Sequence, residues 1–136
     1  MASSKKENKI TLIQNETAGL NATVAQKKHA PVIVFGGMGS SCKDPVYINL
    51  MNKLKKGLDN QHVECYETHI LGSIKAQAMK ACKYVSENEN YNKQKEINLV
   101  GVSQGGLLAR YMVEECPLSN TKPRNLLTIG SPNMGL

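Results

Sequence analysis

A serine set between glycines, directly after an apolar run, most constrains what this chain can fold into. The run INLVG at 97–101 leads into Gly101-Val-Ser103-Gln-Gly105, and a helical pattern then covers 104–116. A short continuous apolar run that ends in glycine is typical of a strand buried on both faces. The sequence therefore predicts a buried strand, a sharp turn that carries the serine, and a helix.

The same alternation of strand and helix patterns begins at Pro31 and continues to the end of the chain. The other predicted elements are strands at 31–36, 62–68 and 125–130 and helices at 46–56 and 73–88, the latter capped by Ser73, with a polar loop at 87–96. Strands that alternate with helices imply βαβ units, whose right-handed crossovers place helices on the faces of a parallel sheet. We therefore expect an α/β fold over residues 31–136, preceded by a polar N-terminal arm at 1–30.

The spacing of the serine and its glycines is that of a nucleophile elbow. In such a turn the strand and helix backbones come so close that side chains flanking the serine would collide, which explains glycine at Gly101 and Gly105. Ser103 itself accepts a strained conformation that directs its hydroxyl off the end of the sheet. The alternative is a surface serine on a plain glycine-rich turn, but the strand before it and the helix after it favour a nucleophile.

A glycine-rich loop after the first predicted strand supports this interpretation. Residues 36–40, GGMGS, directly follow that strand. In α/β-hydrolases one oxyanion donor is the amide of the residue after the nucleophile, here Gln104, and the other comes from a loop after an earlier strand. A phosphate-binding loop is the alternative, but neither GxxxxGK[ST] nor GxGxxG spacing is present.

The loop and the turn together resemble the palmitoyl-protein thioesterases, a family of α/β-hydrolases. FGGMGSSC looks like that family's HGMGDSC loop, and GVSQGGLLARYMVEECP is similar to its G-[FV]-S-Q-G-G elbow and the helix that ends in Cys-Pro. The similarity covers about residues 31–136, and it departs at Gly36, where the family usually has His. The resemblance implies a partial α/β-hydrolase fold that is cut short after the nucleophile half.

The resemblance also implies an activity and its site. The family removes long-chain fatty acyl groups such as palmitoyl from cysteine thioesters of S-acylated proteins in the lysosome, with no metal or organic cofactor. Ser103 would be the nucleophile, and the backbone amides of Met38 and Gln104 would form the oxyanion hole. The family further implies a disulfide between Cys82 and Cys116, although Cys82 on its apolar stripe is alternatively a buried thiol.

The acid and base of a catalytic triad are not found where this fold places them. The triad order is Ser, then Asp or Glu, then His. After Ser103 the only acids are Glu114 and Glu115 in the predicted helix, and no histidine follows. The three histidines all precede the serine, and we interpret them as surface residues: His29, His62 and His69. We therefore expect this chain alone to be inactive.

Three explanations of that gap stay open. The sequence is a fragment of a longer enzyme, one half of a two-chain enzyme, or a shortened pseudoenzyme that serves as a binding or structural subunit. In the last two cases a partner chain would cover the exposed edge of the strand predicted at 125–130. The sequence does not choose among them.

Composition excludes two function classes. The net charge of +6, from 17 basic and 11 acidic residues, is spread along the chain, whereas nucleic-acid binding needs a concentrated basic stripe. No apolar run approaches the roughly 18–20 residues of a membrane span. The N-terminus lacks the apolar region of a signal peptide, yet Asn15 and Asn21 begin N-glycosylation acceptor patterns. The resemblance to lysosomal enzymes and these patterns favour the secretory route.

Overall fold

Strands and helices alternate throughout the computed structural model, which describes residues 28–68 and 72–132. In chain order the elements are β1 (Val32–Phe35), α1 (Pro45–Gly57), β2 (Val63–Tyr66), α2 (Ile74–Glu87), α3 (Glu89–Asn92), β3 (Glu96–Val102), α4 (Gly105–Glu115) and β4 (Lys122–Ile129). Nearly all of the predicted arm, with Asn15 and Asn21, lies outside these residues. None of these helices is both long enough and apolar enough to cross a membrane.

The four strands form one parallel sheet in the order β2-β1-β3-β4. Phe35 at the end of β1 lies opposite Tyr66 of β2 and Gly101 of β3. Because the strands are parallel and in register, their carboxyl ends meet at one edge of the sheet. This edge, called the carboxyl edge below, carries the loop after β1 and the turn after β3.

Helices cover both faces of the sheet, and the alternation of side chains along β1 shows how. Ile33 and Phe35 point to one face, where α2 and α4 pack through residues such as Ala81 and Met112. The residues between them point to the other face, where α1 packs; its cluster contains Val32, Val34, Tyr47, Val63 and Val100. The predicted fold class, a parallel sheet with helices on both faces, is confirmed.

The polar loop predicted at 87–96 is wrong in one respect, because it contains the short helix α3. The Asn88 side chain accepts a hydrogen bond from the Asn90 amide and caps this helix. Tyr91 is fully buried, and its hydroxyl donates to the Val32 carbonyl at 2.8 Å. One apolar residue inside a polar run carries no periodicity, so the pattern did not reveal it.

The last strand is longer than predicted and the least buried of the four. It covers Lys122–Ile129, whereas the sequence predicted a strand at 125–130. Its register against β3 shifts between Ile97 and Asn98. Three of its apolar side chains are exposed: Leu126, Leu127 and Ile129. Among the described residues, no strand pairs with its outer edge.

A disulfide joins the helices on one face of the sheet. Cys82 of α2 is bonded to Cys116, which directly follows α4, and their Cα atoms are 5.8 Å apart. This is the pairing that the family resemblance implies. It fixes the far end of the helix that begins at the serine turn.

Candidate active site

Ser103 lies on a sharp turn between β3 and α4, in a backbone conformation that non-glycine residues rarely adopt. Its φ is +54°, in the left-handed region, and its side chain is exposed. The Ser103 amide donates to the Ile129 carbonyl at 2.8 Å, which ties the turn to the end of β4. Strain of this kind costs on the order of 1–3 kcal/mol and persists only where surrounding contacts enforce it.

The glycines around the serine are required by close packing of backbones. A Cβ atom at Gly101 would overlap the backbone of Gly106. A Cβ at Gly105 would overlap the carbonyl of Phe35, which ends β1. The turn therefore packs directly against the neighbouring strand, and only glycine leaves room for this approach.

The loop after β1 lies beside the serine. An ideal Cβ built at Gly37 would be 3.2 Å from the Ser103 Cβ, so the two segments are in contact. Thr68, just after β2, donates its hydroxyl hydrogen toward the carbonyls of Gly36 and Gly37, at 3.0 and 3.2 Å. Thr68 thus holds the loop from the side of β2, while the serine turn contacts it from the side of β3.

Two backbone amides in this region are open. The amides of Gly37 and Ser103 donate to the Tyr47 hydroxyl and the Ile129 carbonyl respectively. Within the described part of the chain, the amides of Met38 and Gln104 have no hydrogen-bond acceptor. Such amides beside an exposed hydroxyl are what a developing oxyanion requires. They belong to the two residues for which the family resemblance implies this role.

A second disulfide, which the sequence did not predict, holds the far end of the same loop. Cys42 is bonded to Cys65 of β2, with Cα atoms 5.7 Å apart. The Glu67 carboxylate accepts hydrogen bonds from the Ser41 hydroxyl at 3.0 Å and from the Cys42 amide at 2.9 Å. The only signal in the sequence was arithmetic: once Cys82 and Cys116 pair, these two cysteines are left over.

The described histidines lie at the opposite edge of the sheet from the serine. His62 directly precedes β2. By the register of the strands it lies six residues before the level of Ser103, a distance of about 20 Å along the strand direction. His29 precedes β1 and lies 3.6 Å from the Asp59 carboxylate. Neither reaches the serine, and both are half-buried rather than fully exposed, with side-chain exposures of 31% for His29 and 36% for His62. His69 lies outside the described residues.

His62 belongs instead to a hydrogen-bonded group that joins β2 to α2. The Glu64 carboxylate lies 2.7 Å from the His62 ring nitrogen and accepts from the Tyr84 hydroxyl and the Asn88 amide. Burial raises the Glu64 pKa, but the hydrogen bonds together outweigh it and hold the pKa below its ordinary 4.5. The hydrogen bond to Glu64 raises the pKa of Tyr84 to about 12.

No cluster of three or more metal-binding side chains occurs in residues 28–68 or 72–132. The carboxyl edge presents the exposed Ser103 hydroxyl and the two open backbone amides.

A parallel sheet with a left-handed serine turn at its carboxyl edge, and a glycine-rich loop beside it, defines an α/β-hydrolase. The sequence model of one such family, described as palmitoyl protein thioesterase, matches residues 31–136, and the chain belongs to this family. A related protein from Schizosaccharomyces pombe, a palmitoyl-protein thioesterase-dolichyl pyrophosphate phosphatase fusion, is 24% identical over 139 residues. The match covers 93% of this chain and 21% of that protein, so the chain spans about a fifth of the relative's length.

Proposed function

We propose that the protein is a serine thioesterase that releases long-chain fatty acyl groups, such as palmitoyl, from S-acylated cysteines of proteins. The observation that carries the proposal is the exposed Ser103 hydroxyl at a φ of +54°, beside a loop with an open amide. Membership of the thioesterase family and the name of the yeast relative support the substrate class.

In the proposed reaction Ser103 is the nucleophile. Its oxygen forms a bond with the thioester carbonyl carbon while its proton passes to a general base, and the carbonyl electrons move onto oxygen. The amides of Met38 and Gln104 stabilise this oxyanion. Collapse breaks the carbon–sulfur bond, and the cysteine leaves as a thiol after it receives the proton. Water then hydrolyses the acyl-serine, which releases the fatty acid and restores the hydroxyl.

The general base and its orienting carboxylate are assigned to groups outside the described residues. His29 and His62 lie at the edge of the sheet opposite Ser103. Glu64, in β2, is hydrogen-bonded to Tyr84 and Asn88. The proposal therefore concerns the whole protein that carries this sequence. Two disulfides support an oxidising compartment, and with the family they favour the lysosome or the secretory route.

The experiment that tests the proposal is covalent labelling of the purified protein with a fluorophosphonate, followed by mass spectrometry of its peptides. We expect the adduct on Ser103, and we expect Ser103→Ala to lose palmitoyl-thioester hydrolysis by several orders of magnitude. Ser86→Ala is the matched control, because Ser86 lies on α2 and its hydroxyl donates only to the Lys83 carbonyl. An adduct on another residue, with Ser103 unmodified, would contradict the proposal.

A second candidate function is that of a non-catalytic subunit whose partner covers the outer edge of β4. The exposed side chains of Leu126, Leu127 and Ile129 favour it. The same experiment separates the two. Absence of both labelling and turnover in a correctly folded protein would support the subunit, whereas turnover that depends on Ser103 would exclude it.

A further inference from the structure

Tyr47 connects helix α1 to the loop that carries the open Met38 amide. Its side chain is 4% exposed, although it lies in the first turn of the helix. Its hydroxyl oxygen accepts the Gly37 amide at 2.8 Å and lies 2.9 Å from the Ser40 hydroxyl. The phenol therefore contacts both ends of the four-residue segment Gly37–Ser40.

The direction of these hydrogen bonds follows from the number of hydrogens available. Ser40 donates its one hydroxyl hydrogen to the Gly37 carbonyl at 2.6 Å, so it must accept from Tyr47. The bonds then form a closed ring, from the Gly37 amide to Tyr47, from Tyr47 to Ser40, and from Ser40 back to the Gly37 carbonyl. Each bond in such a ring polarises the next and strengthens it.

This ring determines where the Met38 amide points. The Gly37 carbonyl and the Met38 amide belong to one planar trans peptide, so they point in opposite directions. The carbonyl is held by the Ser40 hydroxyl and amide and by the Thr68 hydroxyl, at 2.6, 3.2 and 3.2 Å. With the carbonyl fixed, the Met38 N–H is fixed as well, and it is left free of acceptors among the described residues.

The space that the phenol fills is the one beside Gly36. A Cβ at Gly36 would lie 3.4 Å from the Tyr47 ring and hydroxyl and 3.2 Å from the Ser40 hydroxyl. A Cβ at this position would thus be in van der Waals contact with the phenol and in tighter contact with Ser40. Gly36 is also the position at which the sequence departs from the motif that it resembles.

We propose that Tyr47 is a positioning residue, which orients the Met38 amide as an oxyanion donor through the Gly37 peptide. The inference rests on the proposed serine thioesterase function. Tyr47 does not contact the substrate, and it acts only through the backbone of the loop. Without its hydroxyl the Gly37 amide loses its acceptor, and the loop can turn that amide or the Met38 amide away from the nucleophile.

The test is Tyr47→Phe, which keeps the ring and removes the hydroxyl. The matched control is Tyr91→Phe, because Tyr91 is also a buried tyrosine whose hydroxyl bonds the backbone of β1, at the opposite edge of the sheet. We expect Tyr47→Phe to lower kcat for a palmitoyl thioester roughly 10- to 100-fold with KM unchanged, since loss of a whole donor costs about 100- to 1,000-fold. Tyr91→Phe should keep the wild-type kcat.

A second measurement is independent of activity. Amide hydrogen exchange at Gly37, followed by NMR, should accelerate at least tenfold in Tyr47→Phe and not in Tyr91→Phe. A wild-type protein that shows no Ser103-dependent turnover would overturn the proposed function, and exchange at Gly37 would still decide whether Tyr47 holds the loop. Active wild-type protein with an unaltered kcat in Tyr47→Phe, or an equal loss in both variants, would overturn the role of Tyr47 alone.

Discussion

At the scale of single residues, the site depends on glycines, which have no side chain, as much as on residues that carry one. The helix α4 backbone at Gly105 touches the end of β1 so closely that even a methyl group has no space. This contact places the serine turn next to the loop that carries Met38. The geometry of the turn and the packing of the sheet therefore depend on the same contacts.

A comparison of two glycine substitutions tests this statement. We expect Gly105→Ala to lower the free energy of unfolding by roughly 3 kcal/mol or more, because backbone has to move to admit the new carbon. Gly57→Ala is the control, since a Cβ at Gly57 meets nothing within 4 Å at the end of α1. It should be neutral or stabilising by up to about 1 kcal/mol. Urea unfolding measures both, and equal effects would contradict the argument.

The serine turn was predictable from the sequence because its requirements are local. Glycines two residues either side of Ser103, a strand before it and a helix after it all lie within one short segment. The contact of Tyr47 with the loop after β1 was not predictable. Its helical period indicates only that it faces the core, and its hydrogen bond to Gly37 depends on how α1 packs against the sheet.

At the scale of elements, the strands and long helices are predictable from the periodicity of apolar residues. The disulfides and hydrogen bonds that connect these elements are not. The bond between Cys42 and Cys65, and the hydrogen bonds from α2 to Glu64, connect segments that are distant in sequence. Patterns of apolar residues indicate which side chains are buried, but they do not predict covalent or polar contacts of this kind. The helix α3 was missed for the related reason that Tyr91 is its one buried residue.

The link between β2 and α2 gives a prediction on pH. Because the Glu64 pKa is lowered on folding, the folded state binds fewer protons, so ionised Glu64 contributes stability above its ordinary pKa of 4.5. That contribution is lost as the pH falls through the lower folded-state value. We expect Glu64→Gln to destabilise the protein at pH 6–7, with the difference from wild type shrinking on acidification below about 4.5.

Thermal unfolding of both proteins between pH 3 and 7 measures this effect. Glu89→Gln serves as the control, because Glu89 is a surface carboxylate paired only with Lys93 and exposed pairs contribute little. A difference between wild type and Glu64→Gln that is constant with pH, or that grows in acid, would contradict the prediction.

At the scale of the whole molecule, the sheet is asymmetric. Helices bury both faces of β1 and β3, while β4 presents exposed apolar side chains on both faces and an outer edge that no described strand occupies. An exposed, apolar edge strand promotes association with another chain. The same sheet thus has the serine turn near its centre and an exposed apolar strand at its edge.

We predict that residues 1–136, purified alone, self-associate as concentration rises and that Leu127→Lys reduces this. A charge on an edge strand opposes pairing with a second strand. Val113→Lys is the matched control, since Val113 is a similarly exposed apolar residue on α4, at 43% against 52% for Leu127. Sedimentation velocity across a range of concentrations measures the effect. Association that responds equally to both substitutions would show that β4 is not responsible.

The hydrogen bond from the Ser103 amide to the Ile129 carbonyl has a consequence for the order of events during synthesis. The polypeptide is synthesised from its N-terminus, so the serine turn is made before its acceptor at Ile129. The turn gains this hydrogen bond only when β4 has been translated and has docked beside β3. The hydrogen bond that ties the serine turn to the sheet is therefore completed late, after the other three strands have been made.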